Sequence, residues 1–180
     1  MPLREEEQDL LLSDAQHIAH QCNCTTRRAR GLAETLFARF PHADTYSSGA
    51  VRVPGTITVA GGQHLRSVVN LYAQRAPGRS SDASGDDTAE ARLGWFRECL
   101  RRVAELEGLE SVAFPFRIGC GLGGGDWTAY KAELQAFADS LPEVDVVVCH
   151  PPAAPPPKRR RAQRGLSVRR DCLRLARPRK

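Results

Sequence analysis

The amino-acid sequence predicts an α/β protein: a three-layer α/β/α sandwich on a mostly parallel central sheet, followed by a disordered basic C-terminal tail. Three observations predict it. Short apolar runs of strand length alternate with segments whose apolar residues recur at helical spacing, the pattern that builds a sheet covered on both faces. Five of the chain's fifteen glycines fall in one stretch, residues 114–127, between such a run and such a segment. Five prolines in residues 151–157 then end the pattern ahead of a strongly charged segment. The expected organisation is a domain over residues 1–150, a Pro-rich linker at 151–157 and a basic tail at 158–180.

The elements follow in order. Residues 18–23, Ile-Ala-His-Gln-Cys-Asn, read as the first central strand, with Asn23 at the exit where a parallel strand delivers side chains to a ligand. An Asx-type turn explains the same asparagine equally well. After the polar loop 25–30, apolar Leu32, Ala33, Leu36, Phe37 and Phe40 recur at helical spacing until Pro41 stops the helix. Residues 54–59 read as a strand, 60–62 as a turn and 65–73 as a second β-rich run. The Pro/Gly/Ser/Asp-rich loop 75–87 is long for a compact domain, a length associated with loops that cover a site or move.

A third helix is expected from about Thr88 to Leu106, its core stripe formed by Ala89, Leu93, Phe96, Leu100 and Val103, with Arg97, Arg101 and Arg102 on other faces. A buried strand at 111–114, a helix at 127–140 and a last strand at 144–149 complete the alternation, which implies parallel pairing and ligands beyond the strand C-termini.

Charge is segregated. The net charge is +5, but residues 158–180 hold eleven Lys/Arg against one Asp, leaving residues 1–157 with fifteen basic and twenty acidic groups. The folded part therefore gives a nucleic-acid reading no support. Lys158-Arg159-Arg160-Arg161 beside the proline run is compatible with nuclear import or polyanion binding, and equally with a solubilising tail. No apolar run reaches the ~18 residues a membrane span requires, and Arg4-Glu5-Glu6-Glu7 does not open a signal peptide. Cytoplasm or nucleus is the expected compartment, with the six cysteines reduced and no disulfides. His20, Cys22 and Cys24 alternate as ligands on a strand would, but no fourth ligand stands at a zinc-site spacing, so neither metal nor cofactor is expected.

The glycine-dense loop admits two readings. Gly119, Gly121, Gly123, Gly124 and Gly125 present bare backbone amides ahead of a helix, suited to a phosphate or diphosphate; alternatively they only permit a tight turn. No Gly-Lys-Ser/Thr follows, so this is not a Walker loop, and the acidic partner of a dinucleotide fingerprint is missing. Arg27, Arg28 and Arg30 either attract an anion or form a solvated face.

Over about residues 8–150 the chain resembles the macro-domain superfamily, and in particular small stand-alone phage and large-DNA-virus proteins of that type. The resemblance rests on Asp9-Leu10-Leu11, on Ile18-Ala19-His20-Gln21-Cys22-Asn23-Cys24 followed by Gly31-Leu32-Ala33, on Val69-Asn70-Leu71-Tyr72, and on Ile118-Gly119-Cys120-Gly121 through Gly124-Gly125-Asp126-Trp127. It implies a cleft for ADP-ribose across the top of the sandwich. Asp9, with Leu10, falls where the adenine amino group is received, and Asn23 where the distal ribose approaches. Gly31 and Leu32, together with Gly119, Cys120, Gly121, Leu122, Gly123, Gly124 and Gly125, fall on the loops that hold the diphosphate and distal ribose.

The resemblance to the terminal ADP-ribose glycohydrolase branch does not extend to its catalytic pair, because Gly123 stands in place of the Asp and Ala73-Gln74 in place of the Lys. His20-Gln21-Cys22-Asn23-Cys24 is similar to the ADP-ribose 1″-phosphate phosphatase branch, which implies His20 as a catalytic residue that positions or deprotonates a water. A satisfied core histidine is the alternative. Asp126 is a second candidate for positioning water, and a helix N-cap explains it as well. The expected function is ADP-ribose binding with hydrolysis of ADP-ribose 1″-phosphate or of an ADP-ribosyl linkage. The alternatives are a non-catalytic ADP-ribose reader and a nucleic-acid-binding accessory protein acting through the tail.

Overall fold

The computed structural model describes residues 3–62, 64–81 and 85–153. The basic tail, and the linker from residue 154 on, lie outside the described residues. Six strands form one sheet in the order β1-β6-β5-β2-β4-β3: β1 (Arg4–Glu7), β2 (His17–Asn23), β3 (Ile57–Gly62), β4 (Leu65–Gln74), β5 (Ser111–Pro115) and β6 (Asp145–His150). Three α-helices cover it: α1 (Leu32–Arg39), α2 (Ala89–Ala104) and α3 (Trp127–Ser140).

The central strands are those whose residues are apolar on both faces, as burial between two helical layers requires. In β2, Ala19 faces a core built with Phe96, Leu100 and Val103 of α2 and Tyr130, Leu134 and Phe137 of α3. Ile18 and Cys22 point the other way, to Leu36 and Phe37 of α1 and to Tyr46. One strand thus feeds two cores, and the sandwich has three layers. The pairs β2·β4, β2·β5, β5·β6 and β1·β6 are parallel, so the C-terminal ends of β2, β4, β5 and β6 open on one edge. No helix among the described residues is long and apolar enough to cross a membrane.

Three expectations are corrected. Residues 4–7 form an edge strand, β1, although no apolar pattern marks them; pairing to β6, Arg4 opposite Val147 through Glu7 opposite His150, supplies the order. The strand expected at 54–59 lies at Ile57–Gly62, so the Ala60-Gly61-Gly62 segment belongs to the strand and not to the turn. It pairs antiparallel to β4, because no helix intervenes to carry the chain back across the sheet. The α2 stripe is also shifted: Phe96, Leu100 and Val103 are buried as expected, but Arg92 is buried with them while Ala89 is exposed.

Candidate functional site

A cleft of about 1080 Å³ opens over the C-terminal ends of β2, β4 and β5. Its two walls are loops that each run from a parallel strand into a helix. One wall comprises residues 26–33, from β2 into the start of α1; the other comprises residues 115–123, from β5 toward α3. Gln21 and Gln74 form the floor, joined by Gln21 Nε2 donating to Gln74 Oε1 at 2.9 Å, and Tyr46, Pro77 and Gly78 close the sides.

The walls touch through Leu122, which is 64% exposed. A Cβ at Gly31 would lie 3.3 Å from Leu122 Cδ1, so the leucine reaches over the entry to α1. Gly31 itself occupies the N-cap of α1 at φ 59°, ψ −135°, a conformation reserved for glycine, and the helix has no side-chain cap. The amides of Leu32 and Ala33 at that end have no protein acceptor among the described residues, and both residues line the cleft.

Opposite them the glycine loop divides its amides between two tasks. Cys120 donates to Arg117 O, Gly124 to Gly121 O and Gly125 to Gly119 O, and these bonds shape the loop. The amides of Gly119, Gly121, Leu122 and Gly123 donate to no acceptor among the described residues. Gly119 packs so closely that a Cβ would lie 2.5 Å from Tyr130 Cε1, and one on Gly123 would lie 2.5 Å from Gly119 O; Gly121 has open space.

Each wall is held from behind by an arginine. Arg92, buried on α2, donates to Gly123 O, Gly78 O and Ala76 O while its guanidinium pairs bidentately with Asp87. Burial pushes the Asp87 carboxyl up, but hydrogen bonds from Arg92 and from the Ala76 and Arg75 amides outweigh it and hold the group below the usual carboxylate range. On the other side Arg52 donates to Cys24 O, Thr26 O and Thr45 O and lies 4.9 Å from the Tyr46 ring centroid.

The structure brings Asn23, Gly31, Leu32 and residues 119–123 together around one cavity. Asn23 serves the Asx-turn reading: its Oδ1 accepts from the Thr25 and Thr26 amides, and its Nδ2 donates to Tyr46 Oη. Asp9 and Leu10 stand outside the cleft lining, at the end of β1, where Asp9 caps a 3-10 turn through the Leu11 amide. Asp126 caps α3 by accepting from the Thr128 amide and does not line the cavity.

His20 is not brought to the cleft. It is 1% exposed, its Nε2 lies 2.6 Å from Asn70 Oδ1, and its ring meets Phe37 edge-on. Asn70 Nδ2 donates to Ala43 O and to Thr58 Oγ1, so Asn70 Oδ1 is the acceptor and His20 Nε2 the donor. Burial drives the pKa down to about 4 against the opposing Asn70 hydrogen bond, leaving the ring neutral. Among the described residues, no three His, Cys, Asp or Glu side chains converge as ligands for an ion would, His20, Cys22 and Cys24 included.

The residues lining the cleft include Arg27, Arg28, Arg30 and Arg117 but neither a carboxylate nor an imidazole among the described residues. Cys120 also lines it, with its thiol pushed up to about 11 by burial, so it stays protonated near neutral pH. Gln21, Gln74, Phe116 and the strut arginines carried no site assignment from sequence; alternation along β2 could have pointed Gln21 toward the opening, but nothing local marks the others.

No family model matches the chain. The macrodomain of DarG from Mycobacterium tuberculosis is 27% identical, with a TM-score of 0.61 over 84% of this chain and 98% of that one. The chain belongs to the macro-domain superfamily. This macrodomain is also 28% identical over 149 residues to an uncharacterised 17.5 kDa protein of Enterobacteria phage T4, spanning 78% of the chain and 91% of the phage protein. A Trypanosoma brucei macrodomain, solved in complex with ADP-ribose, shares the fold at a TM-score of 0.59 and 14% identity, over 82% of this chain and 62% of that one.

Proposed function

We propose that this macrodomain binds ADP-ribose, with the diphosphate seated between the start of α1 and residues 119–123. The observation that carries the reading is that both walls hold amides with no protein acceptor among the described residues: Leu32 and Ala33 on one wall, Gly119, Gly121, Leu122 and Gly123 on the other. A helix N-terminus and a glycine-lined backbone concavity both favour an anion, and four arginines line the same cavity. Asn23 and Gln21 then stand near the distal ribose, while Asp9 and Leu10, beyond the cleft, are placed to meet the adenine amino group.

The lining favours a reader over hydrolysis of ADP-ribose 1″-phosphate or of an ADP-ribosyl linkage. Attack by water needs a base or an acid at the reacting centre, and His20 is sealed in the core while Asp126 is engaged in a cap. The nucleic-acid reading rests on residues 158–180, outside the described residues.

Calorimetry on the full chain should show saturable ADP-ribose binding, weakened about tenfold or more by Gly121→Val, which has room to fold and fills the amide seat. Absence of binding at millimolar nucleotide sinks the proposal. Release of phosphate from ADP-ribose 1″-phosphate at an enzymatic rate would replace the reader with the hydrolase.

A further inference from the structure

Every residue among those described that adopts a positive φ is a glycine, with one exception: Arg117, at φ 56°. It sits at the third position of the turn closed by Ile118 N donating to Pro115 O at 3.1 Å, a place where a positive φ ordinarily selects glycine or asparagine. An L-residue there carries backbone strain of about 1–2 kcal/mol. Glycines two and seven positions on, Gly119 and Gly124, meet the same demand without strain.

Nothing among the described residues accounts for the arginine. Its side chain is exposed and, among the described residues, makes no hydrogen bond or ion pair, whereas Arg92 and Arg52 spend their guanidinium groups on backbone carbonyls. It lines the cleft, two residues before the first free amide of the glycine loop. A strained, unpaired cation at the mouth of an anion seat is what a ligand-facing role leaves behind.

Resting on the proposed function, we infer that Arg117 is a ligand-binding residue of the cleft: its guanidinium binds the diphosphate of the nucleotide, and the left-handed turn aims it there. A bidentate guanidinium–phosphate contact is charge-assisted and directional, which a neutral residue in the same turn cannot supply.

The test compares wild type, Arg117→Gly and Arg117→Asn as full chains, reading Kd for ADP-ribose and for ADP by calorimetry and Tm by calorimetric scan. Glycine relieves the strain, and asparagine tolerates the same φ while keeping a side chain. Both variants should weaken ADP and ADP-ribose alike by roughly tenfold or more, the scale of a lost charge-assisted contact, and Arg117→Gly should hold or raise Tm. A role confined to holding the loop predicts the opposite sign, with Tm and affinity falling together. Affinities within twofold of wild type, or a loss seen for ADP-ribose but not ADP, overturn the assignment. Failure of wild type to bind either nucleotide refutes the functional reading itself, and this assignment with it.

Discussion

The two walls of the cleft are built alike and finished differently. Each runs from a parallel strand through a loop into a helix N-terminus, and each is tied down by an arginine donating to its carbonyls. At α3 the helix end is closed by Asp126, which takes the Thr128 amide and places a carboxylate there. At α1 the cap position is Gly31, in a conformation no other residue adopts readily, so no side chain can close it. The helix N-terminus behind the glycine loop is therefore covered by its own cap, and the open helix end belongs to the arginine-bearing wall. A strand–loop–helix unit becomes an anion seat through what is withheld at the N-cap as much as through its glycines.

The struts give the sharpest way to break the comparison. Arg92→Met leaves Asp87 buried without its cationic partner and frees the Gly78 and Gly123 carbonyls, and should cost about 3–5 kcal/mol in urea denaturation. Arg52→Met removes hydrogen bonds from a half-buried side chain that has no ion-pair partner among the described residues, and should cost about 1–3 kcal/mol. If the two losses are equal, the ion pair adds nothing and the walls are held alike.

The core beneath the arginine wall carries its own signature. His20, under Phe37 of α1, is neutral in the fold with a pKa lowered to about 4, against 6.5 when unfolded. Its contribution is whole above pH 6.5 and is lost as pH falls from 6.5 toward 4, because the unfolded chain takes up the proton first. Between pH 7 and pH 4.5 wild type should lose about 2–3 kcal/mol more than His20→Gln. Equal pH profiles would mean that the ring is already solvated in the folded protein. Unchanged ADP-ribose affinity in the variant at pH 7 accompanies the core role; a lost turnover without a lost affinity would contradict it.

The sequence shows most of the sandwich because β5 and β6 are built on short apolar runs, β2 and β4 are rich in apolar residues, and the helices carry 3.6-residue stripes, all consequences of burial between layers. It hides β1, an edge strand of Arg and Glu ordered by its partner, and the β3–β4 hairpin, whose glycines resemble a turn. Within the site, residues 119–125 and Gly31 are legible because glycine density is a local signal. Arg92 looks like one more helix-surface charge: its partner Asp87 lies five residues back, off the helix, and only the folded loop 75–87 brings the two together. Arg117 is hidden for another reason, since a backbone angle leaves no mark in composition.

The smallest effect expected is also the most direct test of the finishing difference. Asp126→Ala removes the α3 cap, at about 1 kcal/mol, and uncovers the Thr128 amide. Because Asp126 does not line the cleft, ADP-ribose affinity should stay within about twofold, a difference under ~0.5 kcal/mol. A gain in affinity would mean that the carboxylate repels a ligand reaching past Gly123, so that α3 too contributes to the seat once opened. Loss of a hydrolytic turnover at constant affinity would instead make Asp126 the residue that positions water. A lower Tm with binding unmoved leaves α1 as the helix that meets the anion.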